Sequence, residues 1–234
     1  MITTKILLNI LVFASILNLI CCEKDEVAPS NYLNYQTIAE LELPFKSDWF
    51  VIWGGRTLEQ NYHVSLVDQR FAIDVIQIEN GSNFMGNGTQ NEDHYSFGAT
   101  LFAPGAGQVV EMENSVADNI PGETNREQRF GNYVIIDHGN EEFSVLAHLM
   151  KNSIIVNVGD LVTQGQVIGL IGNSGNSTGP HLHYHLQNKP SIGQGEGLPA
   201  QFRNYYANDI FVSVGEPIKN QTIRRKKFQI NPND

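Results

Sequence analysis

The sequence is poor in cysteine and in charged residues. Its 234 residues include only 2 cysteines, Cys21 and Cys22, and neighbouring residues cannot build a long-range disulfide framework. Charged residues make up 17% of the chain, against about 25% in an average soluble protein. Positive charge is the scarcer kind, since 15 Lys and Arg face 25 Asp and Glu, for a net charge of −10. Because phosphate binding requires a basic surface, this balance excludes nucleic acid as the main partner.

The sequence also lacks a hydrophobic period typical of a helix of three turns or more. Short β-rich runs separated by Gly, Asn and Asp fill the region 49–214 instead. The runs 134–136, 143–146 and 167–171 are typical of strands, and the first two predict a hairpin over 138–140. We therefore predict an all-β fold, a compact antiparallel sheet of barrel or sandwich type.

Two long loops interrupt this pattern, at 80–97 and 114–129. Both contain Gly, Asn and acidic residues and few apolar ones. Long ordered loops often form the walls of binding sites, so we predict that these two border a groove.

A basic residue and an apolar run stand at the N-terminus. Lys5 is followed by about 15 mostly apolar residues, which is the layout of a secretory signal, whereas a transmembrane helix needs roughly 20. The run ends in Leu19-Ile20-Cys21-Cys22, which resembles the lipobox of bacterial lipoproteins. Since Cys21 supplies the small residue before the cleavage point, we predict a signal peptide over 1–21 and lipid attachment at Cys22. An ordinary cleaved signal or an uncleaved anchor is the alternative, and each of them implies export.

The composition divides the rest of the chain into three segments. Residues 22–45 begin with acidic residues and show little periodicity, which predicts a tether with one short ordered element around 37–43. Residues 46–215 form the predicted domain. Residues 216–234 contain Arg224-Arg225-Lys226-Lys227 and predict a basic C-terminal tail or a charged edge strand.

The strongest chemical signal is the heptapeptide Gly-Pro-His-Leu-His-Tyr-His at 179–185. In a strand, alternate residues share a face, so His181, His183 and His185 would point one way and the apolar residues between them into the core. A row of histidines on a solvent-facing strand is the structural alternative. Neutral imidazole is, however, the commonest protein ligand for zinc, so the row predicts a metal site.

A tetrahedral metal site needs ligands from other parts of the chain. His63 precedes an irregular stretch that contains Asp68, and Asp74 ends an alternating apolar run that suits a strand. His148 is a lone polar residue within the apolar run 146–149. Each of these residues alone is unremarkable, and together they are candidates for a site with the histidine row.

In their order along the chain, these motifs resemble the lysostaphin-type zinc metallopeptidases, which cut peptide cross-links of bacterial cell walls. The resemblance covers roughly 60–188 and rests on His63, Asp74, Ala147-His148-Leu149, Gly165-Gln166-Val167-Ile168-Gly169 and His181-Leu182-His183. It implies that His63, Asp74 and His183 bind Zn²⁺ and that His148 and His181 are catalytic histidines that do not bind the metal. Three protein ligands leave one position for water, as a catalytic zinc requires.

The sequence departs from the family pattern in three places. Ten residues separate His63 from Asp74, where the family usually has three, so Asp68 is kept as an alternative ligand. Leu146 stands where the family often has Tyr. His185 stands where Glu is common, and we interpret it either as a residue that holds a ligand or the substrate, or as a structural one.

The resemblance implies a zinc metalloendopeptidase that hydrolyses peptidoglycan peptides or other extracellular peptides. We predict an exported, membrane-anchored lipoprotein of the cell envelope. One alternative is a non-catalytic cell-wall binding or activator protein of the same fold. Another is a non-haem iron oxygenase, which also uses two His and one carboxylate but commonly has a close His-x-Asp pair that is absent here. His94 and His138 are interpreted as ordinary loop and turn residues.

Overall fold

Strands dominate the part of the chain that the computed structural model describes, residues 29–226. Its thirteen strands are β1 (Trp49–Trp53), β2 (Ile73–Ile76), β3 (Thr100–Phe102), β4 (Gly107–Glu113), β5 (Asn132–Asp137), β6 (Phe143–Leu149), β7 (Leu161–Val162), β8 (Val167–Leu170), β9 (Leu182–Gln187), β10 (Gly197–Leu198), β11 (Phe202–Ala207), β12 (Ile210–Gly215) and β13 (Thr222–Arg225). The helical elements of residues 29–226 are three short 3₁₀ turns, Tyr62–Ser65, Val67–Gln69 and Asn91–Asp93. The prediction of an all-β fold is confirmed.

Eleven of the strands form one sheet, and all their pairings are antiparallel. The order is β12-β11-β13-β1-β2-β9-β6-β5-β4-β7, with β10 paired to β9. Strands β3 and β8 form a separate two-stranded sheet. Because β2, β9 and β6 are neighbours at the centre of the large sheet, residues near 74, 148 and 183 lie close together despite their separation in sequence.

Strand β9 shows how the sequence determines the two faces of this sheet. Leu182, Tyr184 and Leu186 are fully buried in the main hydrophobic core, as their alternation predicts. The residues between them belong to the opposite face. The predicted hairpin is also present, since β5 pairs with β6 in the register Val134↔Leu146 across a turn at 138–142.

The segment 29–45 is part of the folded domain, so the prediction of a tether over 22–45 is wrong for these residues. Leu41, Leu43 and Phe45 are at most 1% exposed and belong to the main core. The segment is also held by the buried carboxylate of Glu142, which accepts hydrogen bonds from two backbone amides, at 2.6 and 2.7 Å, and from the hydroxyl of Tyr35. The apolar side chains at every second position, Leu41, Leu43 and Phe45, bury enough apolar surface to join the core, although the segment as a whole shows little periodicity.

This packing predicts a stability effect that a tether would not show. Leu41→Ala should lower the free energy of unfolding by about 2–5 kcal/mol, because it removes a fully buried side chain and leaves a cavity. Leu33→Ala is the matched control, since Leu33 lies in the same segment but is 48% exposed, and its effect should stay within about 0.5 kcal/mol. Denaturant unfolding measures both variants. If both variants had equally small effects on the free energy of unfolding, the burial of Leu41 in the core would be contradicted.

The C-terminal segment also belongs to the sheet as far as it is described. Strand β13 lies between β1 and β11, with Ile223 paired to Trp49 and fully buried. Arg224 forms an ion pair with Asp209 at 2.6 Å, and Arg225 forms one with Glu42. The prediction of a basic tail over 216–234 is therefore wrong for 216–226, whose arginines neutralise acidic neighbours.

Several predictions concern residues outside 29–226. The signal peptide 1–21, the lipid attachment at Cys22 and the end of the basic tail from Lys227 onward lie outside the described residues. Within residues 29–226, no helix is long and apolar enough to span a membrane.

Candidate metal centre and its cavity

Two histidines and one aspartate converge at the centre of the large sheet. His63 Nε2 lies 2.9 Å from Asp74 Oδ2, and His183 Nδ1 lies 2.8 Å from Asp74 Oδ1. Each residue offers one ligand atom, and these atoms all lie within 4.8 Å of one another. The three residues are 2–3% exposed. Three buried donor atoms at this spacing can hold a metal ion.

Strand register places two of these residues side by side. Asp74 on β2 is the direct antiparallel partner of His183 on β9, so their side chains share one face of the sheet. The alternation of residues in the sequence predicts that His183 lies on a polar face of its strand. It does not predict that β2 pairs with β9, which brings Asp74 beside His183.

His63 reaches the cluster from an irregular segment. Asn61 is buried, accepts a hydrogen bond from the His63 amide and donates to Gly55 O and Ala72 O at 3.1 and 2.8 Å. Two consecutive 3₁₀ turns, Tyr62–Ser65 and Val67–Gln69, then return the chain to β2. These turns accommodate the ten residues between His63 and Asp74, the long spacing that departs from the family pattern.

Asp68, the alternative ligand, lies outside the cluster. Its two carboxylate oxygens form a bidentate ion pair with Arg129, at 3.0 and 3.2 Å. The side-chain amide of Gln69 lies between Arg129 and His63, 3.2 Å from His63 Nδ1. Gln69 thus contacts a candidate ligand from behind, and no sequence motif pointed to it.

The electrostatics of the cluster favour an ionised aspartate and a neutral histidine. Burial opposes the ionisation of Asp74, but the attraction of His63 and the hydrogen bond with His183 outweigh it and hold the Asp74 pKa well below its usual range. Burial lowers the pKa of His183. A carboxylate and neutral imidazoles are the forms that bind metals.

His148 is held in an unusual backbone conformation that turns its ring toward the cluster. It sits at an irregularity in the β5–β6 register and has a φ of 62°, in the left-handed region. Its Nδ1 lies 2.8 Å from Ser174 O, so Nδ1 carries the hydrogen and Nε2 the free lone pair. Burial, together with His181 and His183, lowers the pKa of His148 well below its usual range. The ring is therefore a neutral base.

His181 lies immediately before β9, beside both the cluster and His148. Its ring centroid is 4.8 Å from that of His148, and its Nε2 is 4.0 Å from Asp74 Oδ1. Its Nδ1 lies 2.8 Å from Gly179 O, which leaves Nε2 free. The side chain is 14% exposed, so the nitrogen can meet a ligand that enters from solvent.

His185 is on the same face as His183 but lies behind it. It is fully buried, and its Nδ1 is 2.9 Å from His183 Nε2. Burial lowers the pKa of His185 well below its usual range, and the proximity of His183 adds to this effect. The structure thus places His185 in contact with a candidate ligand.

The cluster opens into a cavity of about 530 Å³. Trp53, Tyr62 and Phe130 form an aromatic part of its lining, and His148 and His181 also line it. Both long loops contribute to the wall, with residues such as His94 from one loop and Arg129 from the other. The predicted groove is present.

The loop 114–129, which contributes Arg129 to the cavity lining, is hydrogen-bonded to a neighbouring segment of the chain. The side chain of Asn119 donates to Gly175 O and Ser177 O, at 2.7 and 2.8 Å. Backbone hydrogen bonds also join Gly122 to Thr178 and Asn125 to Gly175. The loop is thus attached along its length to the segment that precedes His181.

The two remaining histidines differ from each other. His138 binds Ala106 O through Nδ1 and the Ser144 hydroxyl through Nε2, which is a structural role in a turn, as expected. His94 binds Gly88 O, and its side chain also lines the cavity, which the sequence did not indicate.

Part of the chain is similar to a known protein family. Residues 92–194 match the profile of peptidase family M23. The matched segment is thus similar to this family, in line with the resemblance of the motifs to the lysostaphin-type metallopeptidases. The matched segment includes His148, His181 and His183, whereas His63 and Asp74 precede it.

Curated relatives match short parts of the chain. The peptidoglycan DD-endopeptidase ShyA of Vibrio cholerae is 55% identical over 56 residues, which are 24% of this chain and 13% of the relative. ShyC, a peptidoglycan DD-endopeptidase of the same organism, is 40% identical over 72 residues, or 31% of this chain and 16% of the relative. A solved structure described as a zinc-containing peptidase from Vibrio cholerae is 23% identical, with a TM-score of 0.43, and the match covers 69% of this chain and 41% of that one. The matched segments thus span less than a fifth of the length of these two curated relatives.

Proposed function

We propose that the protein is a zinc metalloendopeptidase that hydrolyses peptide bonds in the cross-links of bacterial peptidoglycan. The observation that carries this proposal is the arrangement of His63, Asp74 and His183, with His148 and His181 beside them in one cavity. Peptidoglycan is favoured as substrate because the curated relatives are named peptidoglycan DD-endopeptidases.

Zinc is the ion that suits the donor atoms best. Two imidazole nitrogens and one carboxylate oxygen are a ligand set of catalytic zinc sites, which keep a further position open. His63, Asp74 and His183 would hold the ion. When bound, zinc acts as a Lewis acid that polarises the scissile carbonyl and acidifies water.

His148 has the properties of the general base. Its hydrogen-bonded Nδ1 and its lowered pKa keep a lone pair on Nε2 at neutral pH. The ring lines the cavity, so Nε2 can take a proton from the attacking water and pass it to the leaving amine.

We infer that His181 stabilises the negative charge that develops on the carbonyl oxygen in the tetrahedral state. Its Nε2 is free, lies 4.0 Å from Asp74 Oδ1 and faces the cavity. Once protonated, this nitrogen donates a hydrogen bond to the carbonyl oxygen as charge builds up there. The two histidines thus divide proton transfer and charge stabilisation between them.

The decisive test is digestion of purified cell wall and of defined cross-linked peptides. We expect new amino and carboxyl termini, identified by mass spectrometry, and their loss when a chelator removes the metal. Zinc added back should restore cleavage. Undiminished cleavage in the presence of chelator, or no cleavage of any wall fragment by the zinc-loaded protein, would refute the proposal.

We further propose that the protein is exported and anchored in the cell envelope through a lipid on Cys22. The lipobox-like sequence 19–22 supports this location, and a wall hydrolase must act outside the cytoplasm. Cys22→Ser should abolish the incorporation of labelled fatty acid, whereas Cys21→Ser should preserve it. If labelling survives in Cys22→Ser and is lost in Cys21→Ser, the lipid is attached to Cys21 instead.

A further inference from the structure

A row of hydrogen-bonded side chains continues from Asp74 to the end of β9. His183 Nε2 lies 2.9 Å from His185 Nδ1, and His185 Nε2 lies 3.0 Å from Gln187 Oε1. The three β9 residues occupy alternate positions, and His185 and Gln187 are fully buried. The row therefore connects a candidate metal ligand to an amide four residues away.

Two backbone carbonyl groups fix the orientation of that amide. Gln187 Nε2 lies 2.6 Å from Lys189 O and 3.0 Å from Ser191 O. A carbonyl oxygen only accepts hydrogen bonds, so the amide must direct both of its N–H groups toward these two atoms. Its oxygen, Oε1, is left to face His185. The network thereby assigns the amide orientation.

This orientation determines which nitrogen of each imidazole carries a hydrogen. Because Gln187 Oε1 only accepts, His185 Nε2 must be the protonated nitrogen. A neutral imidazole has one donor and one acceptor, so His185 Nδ1 accepts from His183 Nε2. His183 in its neutral form then presents the lone pair of Nδ1 to Asp74 Oδ1, 2.8 Å away.

Two acceptor atoms at this distance repel each other unless a positive ion lies with them, either the proton of the hydrogen bond described above or a metal ion that replaces it. The Nδ1 lone pair of His183 and the carboxylate of Asp74 are thus positioned to bind the same positive ion. We propose that Gln187, acting through His185, is a positioning residue that fixes His183 in the tautomer that offers Nδ1 to the metal. This inference rests on the proposed function, and it identifies the residues that hold the metal ligand His183 in place.

The tautomers can be measured directly in the metal-free protein. Two-bond ¹H–¹⁵N correlation spectra of the histidine rings should show His185 protonated at Nε2 and bare at Nδ1. His185 protonated at Nδ1 would overturn the proposal. Because this measurement needs neither zinc nor substrate, its result is independent of whether the protein hydrolyses peptides.

Substitution of Gln187 tests the effect on the metal. Gln187→Met keeps the length of the side chain but removes the acceptor, so His185 should become a mixture of tautomers. We expect the dissociation constant for zinc, measured by competition with a chromophoric chelator, to rise about 10–100-fold. Wild-type zinc affinity in a folded Gln187→Met protein would overturn the proposal.

Gln201→Met is the matched control. Gln201 also bridges two backbone groups, Thr37 N at 3.1 Å and Tyr35 O at 3.2 Å, but these two groups belong to the N-terminal segment. The Gln201→Met variant should be less stable than the wild type but should bind zinc with the affinity of the wild type. An equal loss of affinity in both variants would mean that general destabilisation is the cause, and would overturn the proposal. If the wild type binds no zinc, the proposed function fails, and the tautomer measurement still decides the role of Gln187.

Discussion

Asp74→Asn is expected to abolish zinc binding and to lower the rate of peptide hydrolysis by at least about 10³-fold. The substitution keeps the shape of the side chain but removes the charge that His63 and His183 face at 2.9 and 2.8 Å. Lewis-acid stabilisation is worth several kcal/mol, and each 1.4 kcal/mol is a factor of ten in rate. Zinc content of the purified protein and cleavage of a defined wall peptide measure the two effects.

Asp68→Asn is the matched control for that experiment. Asp68 was the alternative ligand, but its carboxylate is paired with Arg129. Its replacement should leave one zinc per chain. Activity should change less than tenfold, since the loss of a partly exposed ion pair costs about 1 kcal/mol or less. Zinc lost in Asp68→Asn and retained in Asp74→Asn would reverse the assignment of the carboxylate ligand.

His148→Ala is expected to lower kcat by about 10²–10⁴-fold while zinc binding is retained. The ring is the proposed general base, and removal of such a group costs this much. Because His148 is not among the three clustered ligand residues, the zinc content should stay at the wild-type level. A variant that keeps more than a tenth of the wild-type kcat would exclude His148 as the base.

The backbone of His148 provides an internal control. Its φ of 62° costs a residue with a Cβ atom roughly 1 kcal/mol or more, whereas glycine adopts it freely. His148→Gly should therefore be as inactive as His148→Ala but more stable in denaturant unfolding. If the alanine variant were the more stable one, the left-handed conformation would not be a source of strain.

The sequence predicted the part of the site that depends on local periodicity. Alternation along a strand is enough to place His183 and His185 on one face, since the period of a strand is two residues. The family resemblance indicated His63 and Asp74 as partners, and the structure brings these two residues to His183. The choice between Asp74 and Asp68 needed the register of β2 against β9, which no local pattern specifies.

The supporting residues could not be predicted from local patterns. Asn61, Gln69 and Gln187 are single polar residues without a motif. Asn61 and Gln69 contact residues that folding brings to them, Ala72 and Arg129, and Gln187 acquires its role from the way the chain turns after β9 toward Lys189 and Ser191. The conformation of His148 depends on an irregular pairing of two strands. The burial of Leu41 depends on the core that the remainder of the chain provides.

The docking of the N-terminal segment would limit the reach of the protein if it is anchored by a lipid as proposed. Tyr32 already packs against the core, and its hydroxyl accepts a hydrogen bond from Asn188 at 2.8 Å. A lipid on Cys22 would leave ten residues up to this point, which span at most about 35 Å, whereas a free segment to residue 45 would span about 80 Å. On the proposed anchoring, the domain is confined to a shallow layer above the membrane. A wall hydrolase anchored in this way would reach only the cross-links on the membrane-facing side of the wall.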